Sequence, residues 1–160
     1  MSHYAVLSGR IKQQLQELEL EYAYALEQAE LARSTRIAAY WIAAGFGLQG
    51  FYTGVEKIFE QIARVVDKSL EKQSERWHQD LLEQMRSEVP GIRPAVIDKK
   101  VYQCLKTYLG FRHVVRNNYT HRLEPERIET NLDTLPGCYQ ELTRAINTFC
   151  NFLEQVSQLE

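Results

Sequence analysis

Along this chain the apolar residues recur at intervals of three and four, and nowhere in the two-residue rhythm of a half-buried strand. The first run, Ile11, Leu15, Leu18, Tyr22, Ala25, Ala29 and Ala32, predicts a helix over about His3 to Ser34. Gln13, Gln14, Glu17, Glu21 and Glu27 fall largely on its other faces, and the alanines at its far end leave room for another helix to come close. A second run, Tyr40, Ala44, Gly47, Phe51, Gly54, Ile58, Ile62 and Val65, predicts a helix over about Thr35 to Asp67. Its four glycines each cost roughly 1 kcal/mol against alanine. Either a neighbouring backbone lies against them, or the helix breaks near Gly45 to Gly50 into two shorter pieces.

Lys68 to Ser74 is polar and reads as a loop, with Ser74 placed to cap a third, short helix over about Glu75 to Glu88 whose apolar side is Trp77, Leu81, Leu82 and Met85. Two prolines around a glycine in Val89-Pro90-Gly91-Ile92-Arg93-Pro94 end it and turn the chain. Asp98 is placed to cap a fourth helix reaching about Asn118, with the stripe Val101, Leu105, Tyr108, Arg112, Val115, Tyr119. After Leu123-Glu124-Pro125 a short helical turn is expected near Glu126 to Thr130. The last helix is expected from Asp133 or Thr134, with Pro136 in its first turn and Leu135, Tyr139, Leu142, Ile146, Phe149, Leu153 and Val156 as its buried stripe. These elements predict an all-α fold, an antiparallel bundle of four or five helices in a single domain over residues 1–160.

Composition adds little: 44% hydrophobic and 25% charged residues are ordinary globular values. Ile37 to Val55 is a 19-residue stretch without a charge, long enough in principle to span a bilayer. Tyr40, Gln49, Tyr52, Thr53 and the glycines dilute it, and a buried central helix is the better expectation. The N-terminal MSHYAVLSGRIKQQ has no basic segment followed by an apolar run, so no secretory leader and a cytoplasmic location are expected. Cys104, Cys138 and Cys150 are widely spaced and form no CxxC pair, which predicts idle or buried thiols rather than zinc ligands or disulfides. The net charge of −2 excludes a globally basic nucleic-acid binder, but Arg112 to Arg127 carries four arginines against two glutamates.

That local excess belongs to the segment richest in chemistry, Tyr108 to Arg122, which reads YLGFRHVVRNNYTHR. Arg112 and Arg116 are one turn apart on a helix face, and Tyr119 continues it; His113 and Asn117 stack on the next face, and His121 follows the helix end. Arg112 falls in the apolar stripe, where a guanidinium is costly unless it has a partner or faces a cleft. Guanidinium groups bind a phosphate bidentately, and an imidazole moves protons near neutral pH. RNA carries its own nucleophile, the 2′-hydroxyl, so its cleavage needs proton transfer and charge stabilisation but no metal. The sequence offers no HExxH or clustered carboxylates, leaves His78 and Asp80 isolated as ligands, and contains no P-loop, GxGxxG or GxSxG, so no cofactor is expected. Trp77 reads as a core anchor rather than a base-stacking platform.

An all-helical chain with an Arg-x4-6-His signature near the end of its penultimate long helix resembles the HEPN superfamily, and more closely the HepT-like ribonuclease toxins. The likeness covers about residues 37 to 125 and is carried by FYTGVEKIF at Phe51 to Phe59, WHQDLLEQM at Trp77 to Met85, PGIRP at Pro90 to Pro94 and FRHVVR at Phe111 to Arg116. It implies a dimeric bundle in which two copies of the motif line a shared cleft and cut RNA without metal. It further implies a minimal nucleotidyltransferase antitoxin as partner, able to adenylylate a tyrosine near the motif, here Tyr119. By the resemblance Arg112, Arg116 and Arg122 would hold phosphate, with His113, Asn117, Tyr119 and His121 completing the site. The family pattern Arg-x4-His-x-Tyr is incomplete in both registers. Counted from Arg112 it meets Asn117 and Tyr119; counted from Arg116 it meets His121 and Leu123. The flanking FRHVVR favours the first. Asparagine is neither an acid nor a base at neutral pH, so an impaired module that binds RNA or a protein without cleaving is the alternative.

Overall fold

The computed structural model describes residues 2–160. Five α-helices follow one another: α1 (His3–Thr35), α2 (Ala38–Ile62), α3 (Trp77–Arg86), α4 (Lys99–Asn117) and α5 (Pro125–Ser157). A π-helical turn, Ala63–Asp67, extends α2, and a 3-10 turn, Thr120–Arg122, follows α4. Among the described residues the only β pairing is an isolated bridge between Val89 and Arg93. The fold is therefore the all-α bundle that the periodicity predicts.

Helix α1 starts at Ser2, whose hydroxyl accepts the Tyr4 N–H, and ends at Arg36 in the left-handed region. Only Arg36 and Ile37 separate it from α2, so the two run antiparallel and share the largest interhelical contact in the protein. The glycines do not break α2, which is continuous from Ala38 to Ile62. The backbone of α1 explains one of them: a Cβ on Gly47 would lie 3.0 Å from the Ala25 Cα, and the small-residue end of α1 is what permits that approach. At Gly54 the neighbour is instead the Leu18 side chain, 2.9 Å from the same built position.

Helices α4 and α5 also run antiparallel. The Tyr108 hydroxyl and the Thr134 Oγ1 are hydrogen-bonded at 2.8 Å, and one turn earlier on α4 Cys104 meets Cys138 of α5. Those two cysteines form a disulfide, which corrects the reading of idle thiols; Cys150 alone is free, and it is buried. Their separation of 34 residues carries no pairing signal; the helix hairpin creates the proximity. The centre of the bundle is aromatic: Tyr22 of α1 stacks on Tyr139 of α5 at 3.9 Å between centroids, and Phe51 of α2 meets Tyr108 edge-on at 6.5 Å.

Two boundaries differ from the sequence expectation. The third helix begins at Trp77, and Ser74 accepts the Arg76 N–H in a turn before it rather than capping it directly. The fourth is bounded as predicted, with Asp98 accepting the Val101 N–H at 2.9 Å. The last helix is one element from Pro125, the residue at its N-terminus, and Pro136 lies inside it. Ile128, Asn131, Leu132 and Leu135 are buried on one face through that region, and tertiary packing outweighs the one intrahelical bond that Pro136 deletes.

Between α3 and α4 the chain is held by a buried ion pair. Arg93 donates from Nε and Nη2 to the two Asp67 carboxylate oxygens, and its remaining N–H groups donate to the carbonyls of Ser87, Pro94 and Gln84. All five guanidinium donors are thus engaged. Gly91, at φ +76°, makes the turn that brings Arg93 back under α3. No helix among the described residues is long and apolar enough to cross a membrane.

Candidate active site

Helix α4 buries Val101, Leu105, Tyr108, Phe111 and Val115, and the pitch that turns these inward carries Arg112 to the edge of the core. Its side chain is partly buried, and its Nε is out of contact with solvent and without a hydrogen-bond partner. An orphaned guanidinium N–H beside a cleft is the arrangement that the apolar stripe foreshadowed. The cleft, about 310 Å³, is lined by Glu75, His78, Leu109, Arg112, His113, Arg116 and Asn117. Four of the residues singled out in the sequence, Arg112, His113, Arg116 and Asn117, therefore share one concavity.

Asn117 bears on the tautomer of His113. Its Nδ2 donates to the His113 carbonyl at 2.8 Å and lies 3.2 Å from the His113 Nδ1. The carbonyl contact settles which way the amide faces, since a carbonyl only accepts. The second N–H of the same amide then faces Nδ1, a contact that suits the tautomer with Nδ1 unprotonated. In that tautomer His113 carries its proton on Nε2, as a donor.

The opposite wall is His78 of α3 with Glu75 just before that helix, backed by α2, and here the structure adds residues that sequence reasoning passed over. The Nδ1 of His78 lies 2.6 Å from Oε2 of Glu56, a buried side chain on α2. A carboxylate only accepts, so the imidazole donates from Nδ1; in the neutral ring the lone pair is then on Nε2. The ring is also held by Trp77, stacked on it at 3.7 Å, with the Lys72 ammonium 4.7 Å from the indole. Trp77 packs against the core as expected of an anchor. Burial pushes the Tyr52 phenol above its ordinary value; Glu56 adds to that shift and Arg112 opposes it, which places all three within one electrostatic neighbourhood. The legible trace of this wall was Glu56 itself, one turn after Tyr52 and three residues before Phe59, both buried, and so a charge on an apolar face.

Tyr119, His121 and Arg122 stand elsewhere. They sit on the turn after α4, outside the cleft lining, with Tyr119 stacked on His121 at 5.7 Å and the Arg122 guanidinium 5.5 Å from the tyrosine ring. Tyr119 is 69% exposed, so the apolar stripe of α4 ends at Val115. Among the described residues no three His, Cys, Asp or Glu side chains cluster as metal ligands would.

Comparison with known families matches residues 43–153 to the model of a family described as HepT-like protein. No curated protein and no solved structure matches the chain.

Proposed function

Because the chain belongs to the HepT-like family, we propose that it is a metal-independent endoribonuclease, the toxin of a toxin–antitoxin pair whose antitoxin is a minimal nucleotidyltransferase. The observation that carries this reading is Arg112, half-buried on the wall of a cleft with its Nε unpaired and Arg116 one turn away. Two guanidinium groups at that spacing on the wall of one cleft suit a phosphodiester. His113, with its proton on Nε2, donates to the same phosphate. Charge that develops on the phosphoryl oxygens during attack by the 2′-hydroxyl is then met by three donors. The chain would act as a homodimer, two copies of the motif facing a common RNA strand. Exposed Tyr119, flanked by His121 and Arg122, would receive the nucleotide that silences the toxin, since a phenol on the surface is open to a partner enzyme.

Asn117 favours a second reading, a module that binds RNA or a partner protein without cutting. The two are separated by incubating the purified chain, freed of partners, with RNA in the presence of a chelator, beside Arg112→Ala. Cleavage by the wild type, lost in the variant, supports the nuclease. Salt-sensitive binding with no cleavage product identifies the second reading instead.

A further inference from the structure

The motif as it stands lacks a proton acceptor. Asn117 cannot serve, and the amide of Asn117 occupies the one free lone pair of His113. His121 is stacked on Tyr119 beyond the cleft. The only other imidazole on the cleft is His78. We infer that His78, oriented by the buried carboxylate of Glu56, is the general base that deprotonates the 2′-hydroxyl of RNA, supplying from α3 what the α4 motif has lost.

Three features of the geometry carry this assignment, which rests on the RNA-cleaving reading above. First, His78 and Arg112 line the same cleft, so a phosphate held by the guanidinium lies within the space that the imidazole borders. Second, the tautomers of the two imidazoles are complementary. With both rings neutral, the Glu56 contact leaves the His78 Nε2 to accept, and the Asn117 contact suits a His113 that donates from Nε2. Third, the His78 side chain is only partly exposed and is fixed on two sides, by Glu56 and by the Trp77 ring. A buried carboxylate that orients an imidazole for proton abstraction is the recurrent logic of hydroxyl activation. Glu56 is accordingly a positioning residue and His78 a catalytic one.

The step balances without a cofactor. His78 Nε2 takes the proton of the 2′-hydroxyl as its oxygen bonds to phosphorus. The bond from phosphorus to the 5′-oxygen breaks, and that oxygen takes a proton from water. The His78 imidazolium returns its proton to solvent, leaving a 2′,3′-cyclic phosphate and a 5′-hydroxyl. Glu75, also on the cleft, is left outside the step because its side chain is exposed and no hydrogen bond orients it.

The test compares wild type, His78→Ala, His78→Gln and Glu56→Gln in RNA cleavage under chelator, with affinity for 2′-O-methyl RNA, which cannot be cut, measured on each. Loss of a general base predicts cleavage slowed by roughly 10²- to 10⁴-fold in both His78 variants, with affinity for the uncut analogue retained. Added imidazole should restore part of the rate in His78→Ala. Glu56→Gln should slow the reaction less and change the ¹⁵N signature of His78 from the Nδ1-protonated tautomer to a mixture. Retained analogue binding certifies that a variant is folded, and His78→Gln serves if the alanine variant is not. Cleavage by either His78 variant within about threefold of wild type, while Arg112→Ala is inactive, overturns the assignment and leaves the nuclease reading standing. A wild type that binds RNA but never cleaves it overturns both.

Discussion

Removing the Asp67 carboxylate tests what holds the α3–α4 connection against the end of α2. In the folded protein the Arg93 side chain is 0% exposed and that of Asp67 3% exposed. The Asp67→Ala variant leaves a guanidinium sealed from water, still donating to the carbonyls of Ser87, Pro94 and Gln84 but with Nε and one Nη2 proton unpaired. It also leaves the Gln84 amide, which donates to the same carboxylate at 2.8 Å, with the Ser69 carbonyl alone, at 3.0 Å. An uncompensated buried charge of this kind costs about 3–5 kcal/mol. Against a total stability on the order of 5–15 kcal/mol, that is a large share. With a urea dependence of about 2 kcal/mol per molar, the unfolding midpoint should fall by roughly 2 M. Arg93→Met should cost about as much, since it takes the counter-charge from a buried carboxylate and the donor from the carbonyls of Ser87 and Pro94. The double variant Asp67→Ala/Arg93→Met should then fall short of the sum of the singles by about 1–3 kcal/mol, the coupling expected of a directly bonded pair. Equilibrium urea unfolding followed by far-ultraviolet circular dichroism measures all three. A loss below about 1 kcal/mol for Asp67→Ala would refute the claim that Arg93 is sealed and dependent on this one carboxylate.

The other structural expectations are independent of the cleft. Reducing the Cys104–Cys138 bridge, or replacing both cysteines by serine, reopens a loop of 34 residues and should cost about 3–4 kcal/mol, read as a lower midpoint in a reducing buffer. Gly50→Ala should stabilise α2 by about 0.5–1 kcal/mol, because the added methyl group meets only the mobile carboxylate end of Glu21. Gly47→Val should destabilise, because its side chain runs into the Ala25 backbone, and a thermal melt of each variant decides the comparison. Burial raises the Tyr52 and Tyr108 phenols above the ordinary 10.0. Their contribution is complete below pH 10 and is lost as the pH rises beyond it, when the unfolded chain ionises and the folded one does not. The wild type should therefore lose stability above about pH 10, and Tyr52→Phe should lose less over the same interval.

What the sequence made legible follows from how local each signal is. The stripes of α1, α2 and α4 repeat within a few turns, and Asp98 caps the helix beside it, so these elements could be read directly. Pro136 misplaced the start of α5 because a local breaker was weighed against a local pattern, while the burial of Ile128 to Leu135 is decided by other helices. The Cys104–Cys138 bridge and the pairing of Arg93 with Asp67 join residues that only the folded chain brings together. At the cleft, Arg112, His113, Arg116 and Asn117 were legible because one helix carries them all. His78 and Glu56 lie on two other helices, and each alone looks like an ordinary residue. A polar residue on an apolar stripe was the shared clue, read at Arg112 and missed at Glu56.

The measurement that bears most directly on function is cleavage of RNA by the purified chain in chelator, with the ends of the products identified. Fragments ending in 2′,3′-cyclic phosphate and 5′-hydroxyl, absent with Arg112→Ala, are the predicted result. Intact RNA after prolonged incubation with a folded wild type that binds it would contradict the nuclease and leave a binding module in its place.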